Sequence, residues 1–95
     1  MRVWGEAKIE KFARKYPSSR SPLRRFLKIV REAEWPHFPA VKQSFPAADY
    51  LQSSGTVIFD IGGNKYRLVA RVDFVEQILY VESVLTHEQY DRESL

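Results

Sequence analysis

The sequence contains no cysteine and a single methionine in 95 residues. Without a thiol there is no disulfide framework, thiolate metal site or cysteine nucleophile, so the fold must stand on packing alone. Glycine (four) and proline (five) are also scarce, which excludes fibrous and low-complexity architectures. No apolar run approaches the roughly 20 residues that a membrane span requires. Met1-Arg2-Val3-Trp4 leads into charged sequence where a signal peptide would be hydrophobic. The expectation is a cytoplasmic chain with no membrane partner. His37 and His87 are the only histidines, and neither has Cys, His or carboxylate companions at ligand spacing, so neither a metal site nor a cofactor is expected.

What the chain does have is apolar and aromatic mass. Apolar residues make up 44% of it, aromatics 14% and charged residues 28%, the composition of one packed domain spanning residues 1–95. The net charge of +3 hides an asymmetry. Residues 1–35 carry ten Lys and Arg against four Glu, whereas residues 36–95 carry five against eight acids. A basic half points to an anionic partner, most simply nucleic acid, although a solvated helix surface accounts for the same charges.

From Glu6 to Tyr16 the apolar residues Ile9, Phe12, Ala13 and Tyr16 recur at helical spacing, with Lys8, Lys11, Arg14 and Lys15 elsewhere on the wheel. Pro17-Ser18-Ser19 ends this helix, and Ser21-Pro22 reads as the N-cap and first position of a second one. There Leu23, Phe26, Leu27 and Val30 form the apolar face, and Arg24, Lys28 and Arg31 a basic stripe. The two helices are predicted to form an antiparallel hairpin. Trp35-Pro36-His37-Phe38-Pro39 breaks the second helix, and a short helical turn presenting Phe38, Val41 and Phe45 follows.

After Gly55 the period changes to two and β-branched and aromatic residues dominate. Thr56 to Ile61, Asn64 to Phe74 and Gln77 to Leu85 read as an antiparallel meander, with a tight turn at Gly62-Gly63 and a short edge strand at Met1 to Trp4. The fold class is therefore α+β, with a helical hairpin packed on a twisted antiparallel sheet and a short C-terminal helix. A turn at Val75-Glu76 pairs Val72 with Leu79, Ala70 with Val81, Leu68 with Ser83 and Tyr66 with Leu85 on the core face. On the other face it sets Arg71 against Tyr80, Val69 against Glu82, Arg67 against Val84 and Lys65 against Thr86. Glu82 then lies diagonally between Arg67 and Arg71, and cross-strand ion pairing suffices to explain all three. Arg67, off the core face, is expected to matter little for folding.

Thr86-His87-Glu88-Gln89 matches a capping box, which starts the C-terminal helix and puts His87 and Tyr90 on one of its faces. The pairing above brings both close to Lys65 and Arg67, beside the Gly62-Gly63-Asn64 turn. Imidazole, phenol, guanidinium and ammonium groups together suit phosphodiester cleavage, which needs a proton acceptor, a proton donor and cations for the developing phosphate charge. The same residues admit a plain reading, with His87 an exposed first-turn residue and Tyr90 an anchoring aromatic. Gly62-Gly63-Asn64 lacks the strand-loop-helix context of a nucleotide-binding loop.

The run Phe59-Asp60-Ile61-Gly62-Gly63-Asn64-Lys65-Tyr66-Arg67-Leu68-Val69-Ala70, followed by Leu85-Thr86-His87-Glu88-Gln89-Tyr90-Asp91, resembles the HigB toxins of bacterial toxin–antitoxin systems, within the RelE-like superfamily. Phe12 to Pro17, Pro22 to Trp35 and Val41 to Tyr50 are similar to the same family in order and spacing. The resemblance implies a RelE-like fold and a ribosome-dependent mRNA endonuclease that cuts translated messages, with the ribosome, mRNA and a cognate helix-turn-helix antitoxin as partners. It implies Arg67 for phosphate charge stabilisation, His87 as general acid or base, Tyr90 for substrate positioning, and Asn64 for holding the loop or contacting RNA. Lys65, Arg71, Arg24, Lys28 and Arg31 are the expected RNA contacts. Family members usually carry Asn where this chain has Asp60 and a basic residue where it has Glu82, and Glu82 is expected to lower the positive potential of the RNA face. Two rivals stand beside this reading. One is a catalytically weak RNA- or antitoxin-binding module of the same fold, and the other is a basic helical-hairpin DNA-binding module.

Overall fold

The computed structural model describes residues 1–92. In chain order the elements are β1 (Arg2–Trp4), α1 (Glu6–Lys15), a 3₁₀ turn (Pro17–Ser19), α2 (Arg20–Glu32), α3 (Phe38–Ser44), β2 (Asp49–Leu51), β3 (Thr56–Ile61), β4 (Tyr66–Asp73), β5 (Ile78–Thr86) and α4 (His87–Arg92). The five strands form one sheet in the order β1-β5-β4-β3-β2. The meander β2-β3-β4-β5 is antiparallel. The expected edge strand at the N-terminus is present, but it runs parallel to β5, with Val3 opposite Leu79, so the sheet is mixed. Among the described residues no helix is long and apolar enough to cross a membrane.

The helical periodicity identifies the buried faces. Ile9, Phe12 and Ala13 of α1 and Leu23, Phe26 and Val30 of α2 pack with Val57, Phe59, Ile61, Leu68, Ala70, Leu79 and Val81 of the sheet. Glu6 at the start of α1 pairs with Arg31 at the end of α2, which confirms the antiparallel hairpin. Phe26, Phe45 and Phe59 meet edge-on or tilted at centroid distances of 5.0 to 5.3 Å, geometry that adds favourable quadrupole contacts to area burial. The junction before α2 differs from expectation. The 3₁₀ turn carries the chain directly into a helix that starts at Arg20, and Ser19, fully buried, donates its hydroxyl to the Tyr16 carbonyl at 2.6 Å. The link between β4 and β5 is also longer than two residues. Asp73 pairs with Ile78, and the Asp73 carboxylate accepts the Val75 and Glu76 amides at 3.0 and 2.9 Å. Gln77, at a left-handed φ of 58°, bridges to the Trp35 carbonyl at 2.8 Å and accepts its amide at 3.1 Å.

The largest departure lies inside β5. From Asp73–Ile78 to Ala70–Val81 the pairing follows the predicted register, but a bulge then shifts it by one, so that Val69 opposes Ser83, Leu68 opposes Val84 and Arg67 opposes Leu85. Glu82 is the extra residue. The physical reason is visible in what the shift does to the two faces. A uniform register buries Ser83 beneath the helices, whereas the bulge puts Val84 there. It also turns Leu85 to the opposite face, where it packs with Ile58 and Val69 in a second, smaller apolar cluster that includes Tyr90 and Leu51.

Gly5 makes the junction between β1 and α1 possible. It sits at φ 94°, and a Cβ there would approach the Val81 carbonyl oxygen to 2.8 Å. Gly63, at φ 72°, has nothing within 4 Å of such a Cβ. Gly63→Ala should therefore cost only the left-handed backbone penalty of about 1 kcal/mol. Gly5→Ala should add a backbone clash and cost about 3 kcal/mol or more. Urea unfolding midpoints of the two variants check this, and equal losses would refute it.

Candidate functional site

The second face of the sheet carries the cluster to which the sequence pointed. Arg67 extends from β4 opposite Asp60 of β3, and its side chain is only 12% exposed. The guanidinium is held from every direction. Nε pairs with Asp60 Oδ1 at 3.2 Å. Nη1 donates to the carbonyls of Asn64 at 2.9 Å and Tyr66 at 3.2 Å. Nη2 donates to His87 Nδ1 at 3.1 Å. The Tyr90 ring lies across the guanidinium face, 5.6 Å from centroid to Cζ, a favourable cation–π geometry.

The local sequence explains why α4 arrives here. Thr86 Oγ1 accepts the Gln89 amide at 3.1 Å and Gln89 Oε1 accepts the Thr86 amide at 2.9 Å, the reciprocal capping box read from the sequence. The His87 amide donates to the Lys65 carbonyl at 2.8 Å, which ties the first residue of α4 to the loop between β3 and β4. Both glycines of that loop have positive φ, 64° at Gly62 and 72° at Gly63. Tyr90 then settles on Ile58, Val69 and Leu85, a platform that the bulge completes by turning Leu85 toward it.

The contacts also fix the hydrogen-bonding state of a neutral His87. Arg67 can only donate, so Nδ1 must accept. Nε2 then carries the proton and donates toward Asp91 Oδ2, 3.1 Å away and one helical turn on. The ring is about half exposed, at 48%, so solvent and a large substrate can reach it. Among the described residues no three His, Asp or Glu side chains are grouped so as to hold a metal ion.

Arg67 thus contacts both His87 and Tyr90, and Asn64 and Lys65 reach the cluster through their backbone carbonyls while their side chains are exposed. Arg71 is on the same face, paired with Glu82 at 2.7 Å, whereas Arg67 takes Asp60 as its counter-ion, not Glu82 as the uniform register had implied. Arg24, Lys28 and Arg31 are exposed on α2, in the helical layer covering the other face of the sheet, and do not join the cluster. The contacts of two participants escaped the sequence reading. Asp60 was hidden by the turn: a tight turn at Gly62-Gly63 would set it against Lys65, whereas the four-residue loop from Gly62 to Lys65 sets it against Arg67. Asp91 was findable as the residue four after His87.

The expectation that Arg67 matters little for folding does not survive this geometry. Arg67→Ala strands the Asp60 carboxylate and removes the tie between the loop and α4, and the loss should be about 2–3 kcal/mol. Arg67→Lys should recover only part of it, because an ammonium lacks the planar donor fork. Denaturant unfolding, with amide exchange of residues 87–92 compared with β3, checks both statements. Wild-type stability of the alanine variant would contradict them.

Comparison with known proteins agrees with the resemblance read from the motifs. The family model of HigB_toxin, the RelE-like toxic component of a toxin-antitoxin system, matches residues 19–93. An mRNA interferase HigB from a uropathogenic Escherichia coli is 27% identical over 97% of this chain and 90% of its own length. The mRNA interferase toxin HigB of Escherichia coli strain K12 and the mRNA interferase HigB of Shigella flexneri are each 33% identical over 83% of this chain and 77% of their own length. With three-quarters of its length matched by the family model and with a sheet, helical hairpin and C-terminal helix of the expected kind, this chain belongs to the HigB toxin family, whose members act opposite an antitoxin.

Proposed function

We propose that this chain is an mRNA interferase, a toxin that cleaves translated mRNA on the ribosome and so stops protein synthesis. The observation that carries the reading is the contact cluster of Arg67, His87 and Tyr90 on an open sheet face; the printed activities of the related HigB proteins support it. In the reaction the ribose 2′-oxygen bonds to phosphorus and the bond from phosphorus to the 5′-oxygen breaks. One group accepts the 2′-hydroxyl proton and another delivers a proton to the departing oxygen. His87 takes one of these two proton-transfer roles, with Asp91 orienting its ring. Arg67 stabilises charge on the phosphate, Tyr90 positions the RNA, and Asn64, at the exposed loop, contacts it.

Lys65 and Arg71 extend this RNA-binding surface, while Arg24, Lys28 and Arg31, on the helical layer, dock the protein on ribosomal RNA without entering the site. A cognate helix-turn-helix antitoxin completes the set of partners. One observation favours a catalytically weak binding module instead: the donors of Arg67 are engaged by the protein's own atoms. Induced expression in bacteria, with mRNA 5′ ends mapped against the reading frame, separates the two readings. Frame-dependent cuts support the enzyme, and intact messages from folded protein support the module.

Within this proposal, His87→Ala should slow single-turnover cleavage by about 10²–10⁴, the usual contribution of a general acid or base. Tyr90→Phe keeps the ring against Arg67 and tests the hydroxyl alone. A full single-turnover rate for His87→Ala would remove it from the chemistry.

The basic helical layer makes a different kind of contribution, since phosphate attraction needs charge but little geometry. Replacing Arg24, Lys28 and Arg31 by Gln should weaken ribosome association and flatten its salt dependence while leaving the rate at saturating ribosomes unchanged. Loss of that saturated rate would place these residues in the chemistry instead.

A further inference from the structure

The guanidinium of Arg67 has five N–H groups, and four of them are already spoken for. A phosphate binds a guanidinium best through two parallel N–H bonds on one edge. The edge made by Nη1 is closed by the carbonyls of Asn64 and Tyr66, which belong to the backbone and cannot swing away without unmaking the loop. One face is covered by Tyr90. What remains is the edge formed by Nε and Nη2. It carries the Asp60 carboxylate on Nε and the His87 imidazole on Nη2, and both are side chains able to rotate. Asp60 is 30% exposed and His87 48%, so solvent reaches both partners of this edge.

We propose that Asp60 is an internal stand-in for the substrate phosphate: it holds the Nε edge of Arg67 in the free protein and is displaced when RNA binds, so that entry of the scissile phosphate is an exchange of one anion for another. The proposal rests on the reading of this chain as an RNA-cleaving enzyme and names the residue that regulates access to its site. The exchange has two consequences. The first is that Arg67 never stands buried without a counter-ion, which keeps the loop and α4 assembled while the site is empty. The second is that the affinity of the site for phosphate is lowered by the competition, because an anion must drive out another before it gains the Nε bond. Asp60 is therefore a positioning residue whose charge sets binding, not the chemical step.

Asp60→Asn separates these effects, since the amide keeps an oxygen acceptor for Nε but carries no charge. Inorganic phosphate titrated into the protein, followed through the Nε–Hε NMR signal of Arg67, should bind the variant about threefold to tenfold more tightly than wild type. With ribosomes and mRNA, the same variant should show a lower KM and a single-turnover rate at saturation within about twofold of wild type. Asp60→Ser provides the same comparison should the Asn variant fail to fold. Equal phosphate affinity in variant and wild type, or a phosphate response that leaves the Arg67 signal unmoved, overturns the proposal. A large fall in the saturated rate also overturns it, by making Asp60 a participant in proton transfer. The phosphate titration needs no ribosome. If it behaves as stated while mRNA is never cut, the enzymatic reading fails and the exchange at Arg67 stands.

Discussion

A single additional residue in β5 decides what the last third of that strand can do. Up to Val81 the strand presents its apolar side chains to the helices in strict alternation; beyond Glu82 the alternation restarts one residue out of step. Val84 then joins the main core, and Leu85 emerges on the far side of the sheet beside Ile58 and Val69. Without that inversion Leu85 would be missing from the apolar seat that it forms for α4 with Ile58 and Val69, and a helix of six residues is far too short to persist unsupported. The bulge residue is itself anchored from both sides, its carbonyl by Lys8 of α1 at 2.9 Å and its carboxylate by Arg71. Local disruption of a ladder thus becomes the means by which an α+β sheet with one covered face acquires a built site on the other.

On that platform, Arg67 does the joining. β3 contributes Asp60, the following loop the Asn64 carbonyl, the start of β4 the Tyr66 carbonyl, and α4 an imidazole and an aromatic face. The His87 amide on the Lys65 carbonyl and the seat of Tyr90 on Ile58 reinforce the same junction. A guanidinium suits this task because its donors radiate in one plane while its faces accept aromatic rings. The arrangement also means that charge placement and structural order at the site are one property. A substitution there changes both, so activity measurements on Arg67 variants need stability measurements beside them.

Much of this was legible in the sequence. The spacing of Ile9, Phe12, Leu23, Phe26 and Val30 identified both helices and their buried faces, because helical period and burial are tied by geometry. The Thr86 and Gln89 pair identified the start of α4, since a capping box is satisfied locally. The convergence of Arg67, His87 and Tyr90 was reached from a register that was wrong by one residue at that end of the strand. It survived because a shift of one position moves β5 by about 3.3 Å along its neighbour, less than the reach of an arginine. Illegible features share a dependence on long-range packing. β2 is only Asp49–Leu51, too short and too polar to announce itself. The bulge is favoured by two faces at once, and a pattern read for one face shows only Ser83 where an apolar residue belongs. Asp60 stood out only as a departure from the family's usual Asn, and its pairing with Arg67 depends on a loop length that the glycine pair does not announce.

The parallel placement of β1 bears on the order of assembly. The hairpins β3–β4 and β4–β5 join residues close in sequence, so each closes a small loop. β1 pairs Arg2 with Ile78 and Trp4 with Tyr80, contacts separated by nearly the whole chain. The entropy of closing such a loop must be met before the short strand gains its few hydrogen bonds. β1 therefore docks after the β4–β5 ladder exists to receive it, and with it comes the tight approach of Gly5 to Val81 that aims α1 across the sheet. The direction of the helical hairpin thus depends on a pairing that spans most of the chain, although its own helices are local structure.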